Sequence, residues 1–215
     1  MKRILLFALV VMTVFVMAST SVYAQQMKAP LGLGNIALKV DYIDFTDSTL
    51  EDLDLDTSVY GGLEMYGQVA PGLYLGAEVG YTNPDEETTF TVFDPFLGPV
   101  TVELETEITY VPIELNLKYA IEAAPNLVFD FGAGVSMNYA ELEVEGSALG
   151  VTVNDSEDDW LFGGQFFADL NYKFGQFFIG VNAKYQITED LEINDIDTDV
   201  DLSNWRVGGQ IGIIF

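Results

Sequence analysis

The sequence predicts an all-β chain: an eight-stranded antiparallel up-and-down transmembrane β-barrel, preceded by a cleavable signal peptide. Three observations carry that expectation. The N-terminus has the order of an export leader, eight later segments alternate with period two, and the connections between them alternate between short and long.

The leader comes first. Lys2 and Arg3 precede an apolar run from Ile4 to Ala18, and a small-residue stretch then ends Val22-Tyr23-Ala24. Basic, apolar and small in that order is a secretory signal. The 15-residue run is short of the roughly 20 that a spanning helix needs. The expected organisation is a signal peptide over 1–24, a short periplasmic tail over 25–34 and a barrel over 35–215. No later stretch is apolar for long enough to be a spanning helix. A membrane location then requires a closed barrel, the other structure that pairs every backbone group without water.

Eight strands follow. Ile36–Tyr42, Val59–Val69, Leu73–Tyr81 and Val111–Tyr119 each alternate apolar with small or polar residues, and so do Phe129–Tyr139, Phe162–Lys173, Phe177–Ile187 and Trp205–Phe215. Each is about ten residues long, enough for a tilted strand to cross a bilayer. Ala70–Gly72, Ile121–Asn126 and Phe174–Gln176 are short connections, whereas Asp44–Thr57, Asn83–Glu107, Glu141–Asp159 and Thr188–Asp201 are long. Segregated loop lengths are typical of outer-membrane barrels, with the tight turns periplasmic. Within the second long loop, Phe90 and Val92, then Val100, Val102 and Leu104, alternate with polar residues. They predict a protruding hairpin. Its apolar tip, Phe93, Phe96 and Leu97, is expected to pack within the hairpin, a partner site being the alternative.

Charge sets the phase. All 34 acids and six of the eight bases fall after Ala24, a net charge of −28 for that part, which excludes a phosphate-binding, nucleic-acid role. Five of the six bases occupy one face of the strands: Lys39, Lys118, Lys173, Lys184 and Arg206. Asp41, Glu64, Glu78, Glu114, Asp130 and Asp169 share it. A base facing lipid at mid-membrane costs roughly 2–4 kcal/mol, so this face is expected inside as a lumen ion-pair network. The other face is uncharged. Tyr42, Tyr81, Tyr139, Tyr185 and Trp205 mark one end of it, and Tyr119, Phe129, Tyr172, Phe177 and Phe215 the other, as two interfacial girdles. A soluble lipocalin-like ligand-binding barrel would reverse the phase.

The remaining acids crowd the long loops. Asp195, Asp197, Asp199 and Asp201 alternate and are weak Ca²⁺ candidates, against the alternative of a solvated, self-repelling surface. No cofactor is otherwise expected. The chain has no cysteine for a thiolate site and no histidine for a neutral-pH general base, so it is expected not to be an enzyme.

The segment Gly209-Gln210-Ile211-Gly212-Ile213-Ile214-Phe215 ends in an aromatic residue with Gly209, Ile211 and Ile213 at every second position before it. Here the chain resembles the small outer-membrane β-barrel superfamily, which includes the OmpX type, the opacity-like proteins and the membrane domain of OmpA. The resemblance covers about Asn35–Phe215 and also rests on Val111–Tyr119. It implies that the final segment, with Gly209, Ile211, Ile213 and Phe215, is read by the barrel-assembly machinery. It further implies an outer-membrane location with both termini periplasmic, contact with lipid and lipopolysaccharide, and a monomer. It leaves a surface role in envelope integrity or adhesion beside a narrow porin-like channel gated by the lumen ion pairs. The extracellular partner stays unknown.

Overall fold

A computed structural model describes residues 29–94, 96, 98–148, 151–193 and 196–215. The signal peptide, the start of the tail with Lys28, and Leu97 and Asp195 lie outside the described residues. Eleven strands and one short helix follow: β1 Gly34–Phe45, α1 Ser48–Asp52, β2 Thr57–Ala70, β3 Leu73–Tyr81, β4 Asp85–Asp94, β5 Gly98–Ala124, β6 Leu127–Ala148, β7 Val151–Phe174, β8 Phe177–Thr188, β9 Asp190–Ile193, β10 Ile196–Asp201 and β11 Asn204–Ile214. Among the described residues no helix is long and apolar enough to cross a membrane.

Eight strands close a ring, every neighbour antiparallel: β1, β2, β3, β5, β6, β7, β8 and β11, with β11 returning to β1. Closure pairs the edges that an open sheet would leave exposed. Gly34 and Phe215 exchange both backbone hydrogen bonds at 2.9 Å, so the seam is held to its last residue.

The tight turns follow from their residues. Pro71-Gly72 joins β2 to β3 and Pro125-Asn126 joins β5 to β6, with φ +73° at Gly72 and +65° at Asn126. Proline presets the first central residue and Gly or Asn accepts the left-handed second one. Pro112 sits inside β5 without breaking it. The β3 ladder ends at Val79↔Ile113 and pairing resumes only as a bridge at Thr82↔Tyr110, so the missing N–H falls in the gap.

The other end differs from a set of plain loops. The second long connection forms the expected hairpin, β4 against β5 from Asp85↔Glu107 to Asp94↔Gly98. The third is strand as well, since β6 and β7 continue in register past Tyr139↔Trp160 to Ala148↔Val151. At 27, 22 and 24 residues, β5, β6 and β7 are about twice what a bilayer requires. The first connection holds α1, with Asp47 capping it by accepting from the Thr49 N–H at 2.8 Å. The fourth holds the β9–β10 pair. Phe93 and Phe96 stay largely exposed at the hairpin tip, so the expected packing does not hold for Phe93.

The protruding sheet carries its acids in opposed rows. Glu87, Glu105 and Glu145 stand side by side on β4, β5 and β6, and Asp85, Glu107 and Glu143 form a second row. Like charges directly opposite one another destabilise a sheet by some tenths of a kcal/mol. Glu105→Lys is expected to stabilise the overhang by about 1 kcal/mol in low salt. Amide exchange at residues 102–107 checks this, and the gain should shrink at molar salt.

Candidate functional site

The candidate site is the barrel interior. Strand alternation sends every second residue inward, and the inward set is that of the charged face: Lys39, Asp41, Glu64, Glu78, Glu114, Lys118, Asp130, Asp169, Lys184 and Arg206 are all buried. The soluble lipocalin-like alternative would have an apolar lumen and a polar outside, the opposite of this phase.

Nine of these groups form one connected network. Lys39 Nζ lies 3.4 Å from Glu64 and 3.3 Å from Glu78. Lys184 Nζ is 2.7 Å from Glu78 and bridges to Glu114, and Arg206 Nη2 donates to Glu114 at 2.6 Å. Lys118 Nζ connects Glu64 at 3.6 Å with Asp130 at 3.5 Å and Asp169 at 3.8 Å. Glu78 is the hub, because Arg206 Nη1 also reaches it at 3.6 Å. Asp130 and Asp169 face each other in register across β6 and β7 with Lys118 between them. Asp41 stands beside the network and accepts from the Asn182 amide at 2.9 Å.

Aromatic faces and side-chain amides fill the remaining space. Lys118 Nζ is 3.9 Å from the centre of the Tyr66 ring, and the Arg206 guanidinium carbon is 4.5 Å from that of Tyr60, both within cation–π range. Tyr60 donates to Glu78 at 2.8 Å. Gln186 accepts from Arg206 and Tyr110 and donates to Ser136 and Asn138. Gln165 donates to Asn116, Asn171 to Asp130, and Gln210 to Asn171. Sequence reasoning named the charges and passed over this amide lattice. Its signal was the same parity.

Lys173 is a correction. It shares the parity of the network but not its height. It sits half-buried at the turn end, 3.5 Å from the partly exposed Glu122 of β5, and donates to the Pro30 carbonyl at 2.8 Å. Parity fixes a face and leaves the level along the strand open.

The lumen is closed above and below the network. At the turn end the chain before β1 folds across the opening and buries Leu31 against Tyr66, Tyr74, Ala120, Val128 and Phe167. The Tyr74 hydroxyl accepts from the Leu31 N–H at 3.1 Å and donates to the Gly32 carbonyl at 2.9 Å. The segment expected as a tail is therefore packed into the barrel from Pro30 onward. Tyr74→Phe leaves both backbone groups without that partner. The expected loss is about 1 kcal/mol, read as faster exchange of the Leu31 amide with β2 and β3 unchanged. At the loop end, Leu50 and Leu55 from the α1 region cover Ile43, Phe45, Tyr60, Ile108, Tyr110, Leu161 and Leu202. No sequence pattern marked either closure.

The outer face is apolar and exposed, with aromatic pairs at both levels. Tyr185 and Trp205 lie 4.3 Å apart between ring centres and Tyr139 and Trp160 5.4 Å, while Tyr119–Phe131 and Phe174–Phe177 occupy the turn end. Gly209, Ile211, Ile213 and Phe215 lie along this outer face of β11, the three larger residues exposed. Among the described residues no cluster of three or more acids, cysteines or histidines is arranged to hold a metal ion. Of the Ca²⁺ candidates, Asp195 and the side chains of Asp197 and Asp199 lie outside the described residues. The Asp201 carboxylate accepts from the Ser203 N–H at 2.7 Å, inside a turn.

A closed eight-stranded wall, a charged and filled interior and an uncharged exterior ringed by aromatics define a membrane-spanning β-barrel of the bacterial outer membrane. The chain belongs to the family described as outer membrane protein beta-barrel domain, matched over residues 6–208. Among solved structures it is similar to Neisserial surface protein A, at 9% identity, over 85% of this chain and 97% of that one, with a TM-score of 0.51, which supports the same fold. It is also similar to the N-terminal β-barrel domain of Pseudomonas aeruginosa OprF (12% identity, 86% and 98% covered, TM-score 0.46) and to the attachment invasion locus protein Ail of Yersinia pestis (12%, 84% and 97%, 0.45). No curated protein sequence matches it.

Proposed function

We propose that this chain is a non-enzymatic surface protein of the outer membrane, contributing to envelope integrity or adhesion through its acidic extracellular segments. The barrel is the anchor. The observation that carries this reading is closure of the lumen at three heights: the Leu31 plug, the ion-pair network and the apolar lid of α1. An eight-stranded barrel has an interior that side chains just fill, and here they are bonded to one another. A narrow channel would require Lys39, Lys184 and Arg206 to exchange partners in a space they already occupy. In this reading both termini are periplasmic, the monomer contacts lipid and lipopolysaccharide along its uncharged wall, and Gly209, Ile211, Ile213 and Phe215 are read by the assembly machinery.

Planar-bilayer recording of the purified protein tests the anchor reading. The expected result is a silent trace across the voltage range. Leu31→Ser should be equally silent, because the network and the lid remain above it. Steady unitary currents from the native chain would establish the channel instead. Cells displaying a chain shortened in the β6–β7 overhang should keep the heat-modifiable barrel and lose adhesion or detergent resistance.

A further inference from the structure

A second feature lies outside the barrel interior. At the loop end a cavity of about 110 Å³ opens between α1, the overhang of β5–β7 and the β9–β10 pair. Leu50, Leu53, Leu55, Ile108, Ala140 and Leu142 form its apolar floor, and Leu191 and Val200 close one wall. Cavities of this order hold a small apolar group: an engineered site of about 150 Å³ takes up benzene.

Its rim is acidic. Glu141, Glu157, Asp158 and Asp159 line the same cavity. Two of them do so on the apolar side of the sheet. Asp159 pairs in register with Ala140 and Glu157 with Leu142, so both carboxylates share the face of the cavity floor. Glu157 is only half-buried, and Glu141 accepts from the Tyr139 hydroxyl at 2.9 Å. A carboxylate drawn partly out of water beside leucines calls for a counter-charge. Among the described residues no lysine or arginine lies at this end. There is no lysine or arginine between Lys39 and Lys118, between Lys118 and Lys173, or between Lys184 and Arg206, and those residues belong to the wall.

We propose that this cavity binds a small amphiphilic organic cation: a short alkyl or aryl group in the leucine floor, with its ammonium at the Glu157 carboxylate on the rim. The enclosed volume admits one short chain, which favours a small molecule over a polypeptide. The apolar floor selects an organic cation over a hydrated metal ion, which gains nothing from leucine. Electrostatic focusing by the acidic overhang raises the local concentration of any cation at the mouth.

The test uses the full folded barrel in lipid nanodiscs with methyl-labelled leucine, titrated with butylammonium, 1-butanol, butanoate and ammonium. Butylammonium is expected to shift the Leu50, Leu53 and Leu142 methyl resonances saturably, with the other three at least tenfold weaker. Glu157→Gln should weaken butylammonium at least fivefold. Ala140→Leu, or Leu142→Trp should the first fail to fold, fills the floor and should remove the saturable shift. Heat-modifiable migration verifies that each variant is folded. The proposal is overturned if butanol or butanoate matches butylammonium, if ammonium shifts the same methyls as strongly, if Glu157→Gln leaves the affinity unchanged, or if a folded, filled variant binds as before.

Discussion

Glu114→Ala is expected to lose about 3–5 kcal/mol of stability, the cost of leaving a buried charge without its partner. Glu114 is fully buried, accepts from Arg206 at 2.6 Å and from Asn116 at 2.9 Å, and bridges to Lys184. Removing it leaves Glu78 as the one remaining carboxylate for Arg206, at 3.6 Å, and for Lys184, at 2.7 Å, while Glu78 still shares Lys39 with Glu64. Urea unfolding of the refolded barrel in lipid, followed by gel mobility before and after boiling, reads the loss. The rim pair provides the contrast. Glu122→Gln breaks a half-exposed partner of Lys173 and should cost well under about 1 kcal/mol. Equal losses in the two variants would show that the interior is wet enough to screen its charges.

Gly208→Val should prevent stable closure of the barrel, whereas Gly209→Ala should leave stability nearly unchanged. The two glycines are adjacent on β11 and face opposite ways. A Cβ at Gly208 would sit 2.2 Å from the Val40 carbonyl oxygen and 2.3 Å from the Asp41 carboxylate, across the β1–β11 seam. The first of these is backbone and cannot turn aside, so the seam itself must open. Overpacking in a well-packed interior already costs about 1–3 kcal/mol, and here it falls on the contact that closes the ring. At Gly209 the nearest atom is 3.6 Å away, ordinary contact on the lipid side. The yield of the heat-modifiable form on refolding distinguishes the variants, and similar yields would place the seam elsewhere.

The strand phase was legible because charge is scarce on the wall and expensive in lipid. Lys39, Lys118 and Lys184 each fix the inward side of their strand, and alternation does the rest. The overhang was half legible. Glu141, Glu143 and Glu145 alternate with Leu142 and Val144 as strictly as any spanning segment, but so many carboxylates read as a solvated loop. Pairing decides the matter: β5 lies alongside and gives each inward residue an uncharged neighbour, Ile108 opposite Leu142 and Thr106 opposite Val144. Leu31 and Leu50 could not be read at all. Leu31 stands in a short irregular stretch and Leu50 in a helix of five residues, neither with a periodic pattern around it, and the role of each arises only once the ring exists and offers it an opening. Lys173 shows the same limit from the other side, since its turn, Phe174-Gly175-Gln176, placed it at the rim while its parity placed it in the lumen.

The overhang has a mechanical consequence. From Tyr139 to Ala148 it runs about 30 Å along the strand beyond the outer aromatic level at some 3.3 Å per residue, which even with the tilt of barrel strands carries it past the headgroup layer there. A pull applied at its tip, between Ala148 and Val151, stretches β6 and β7 in the same direction, so the ladder between them is not unzipped. The load runs down both strands into the ring, where each is bonded along its other side too, β6 to β5 and β7 to β8. Such a mast transmits tension to its base instead of yielding at the point of attachment.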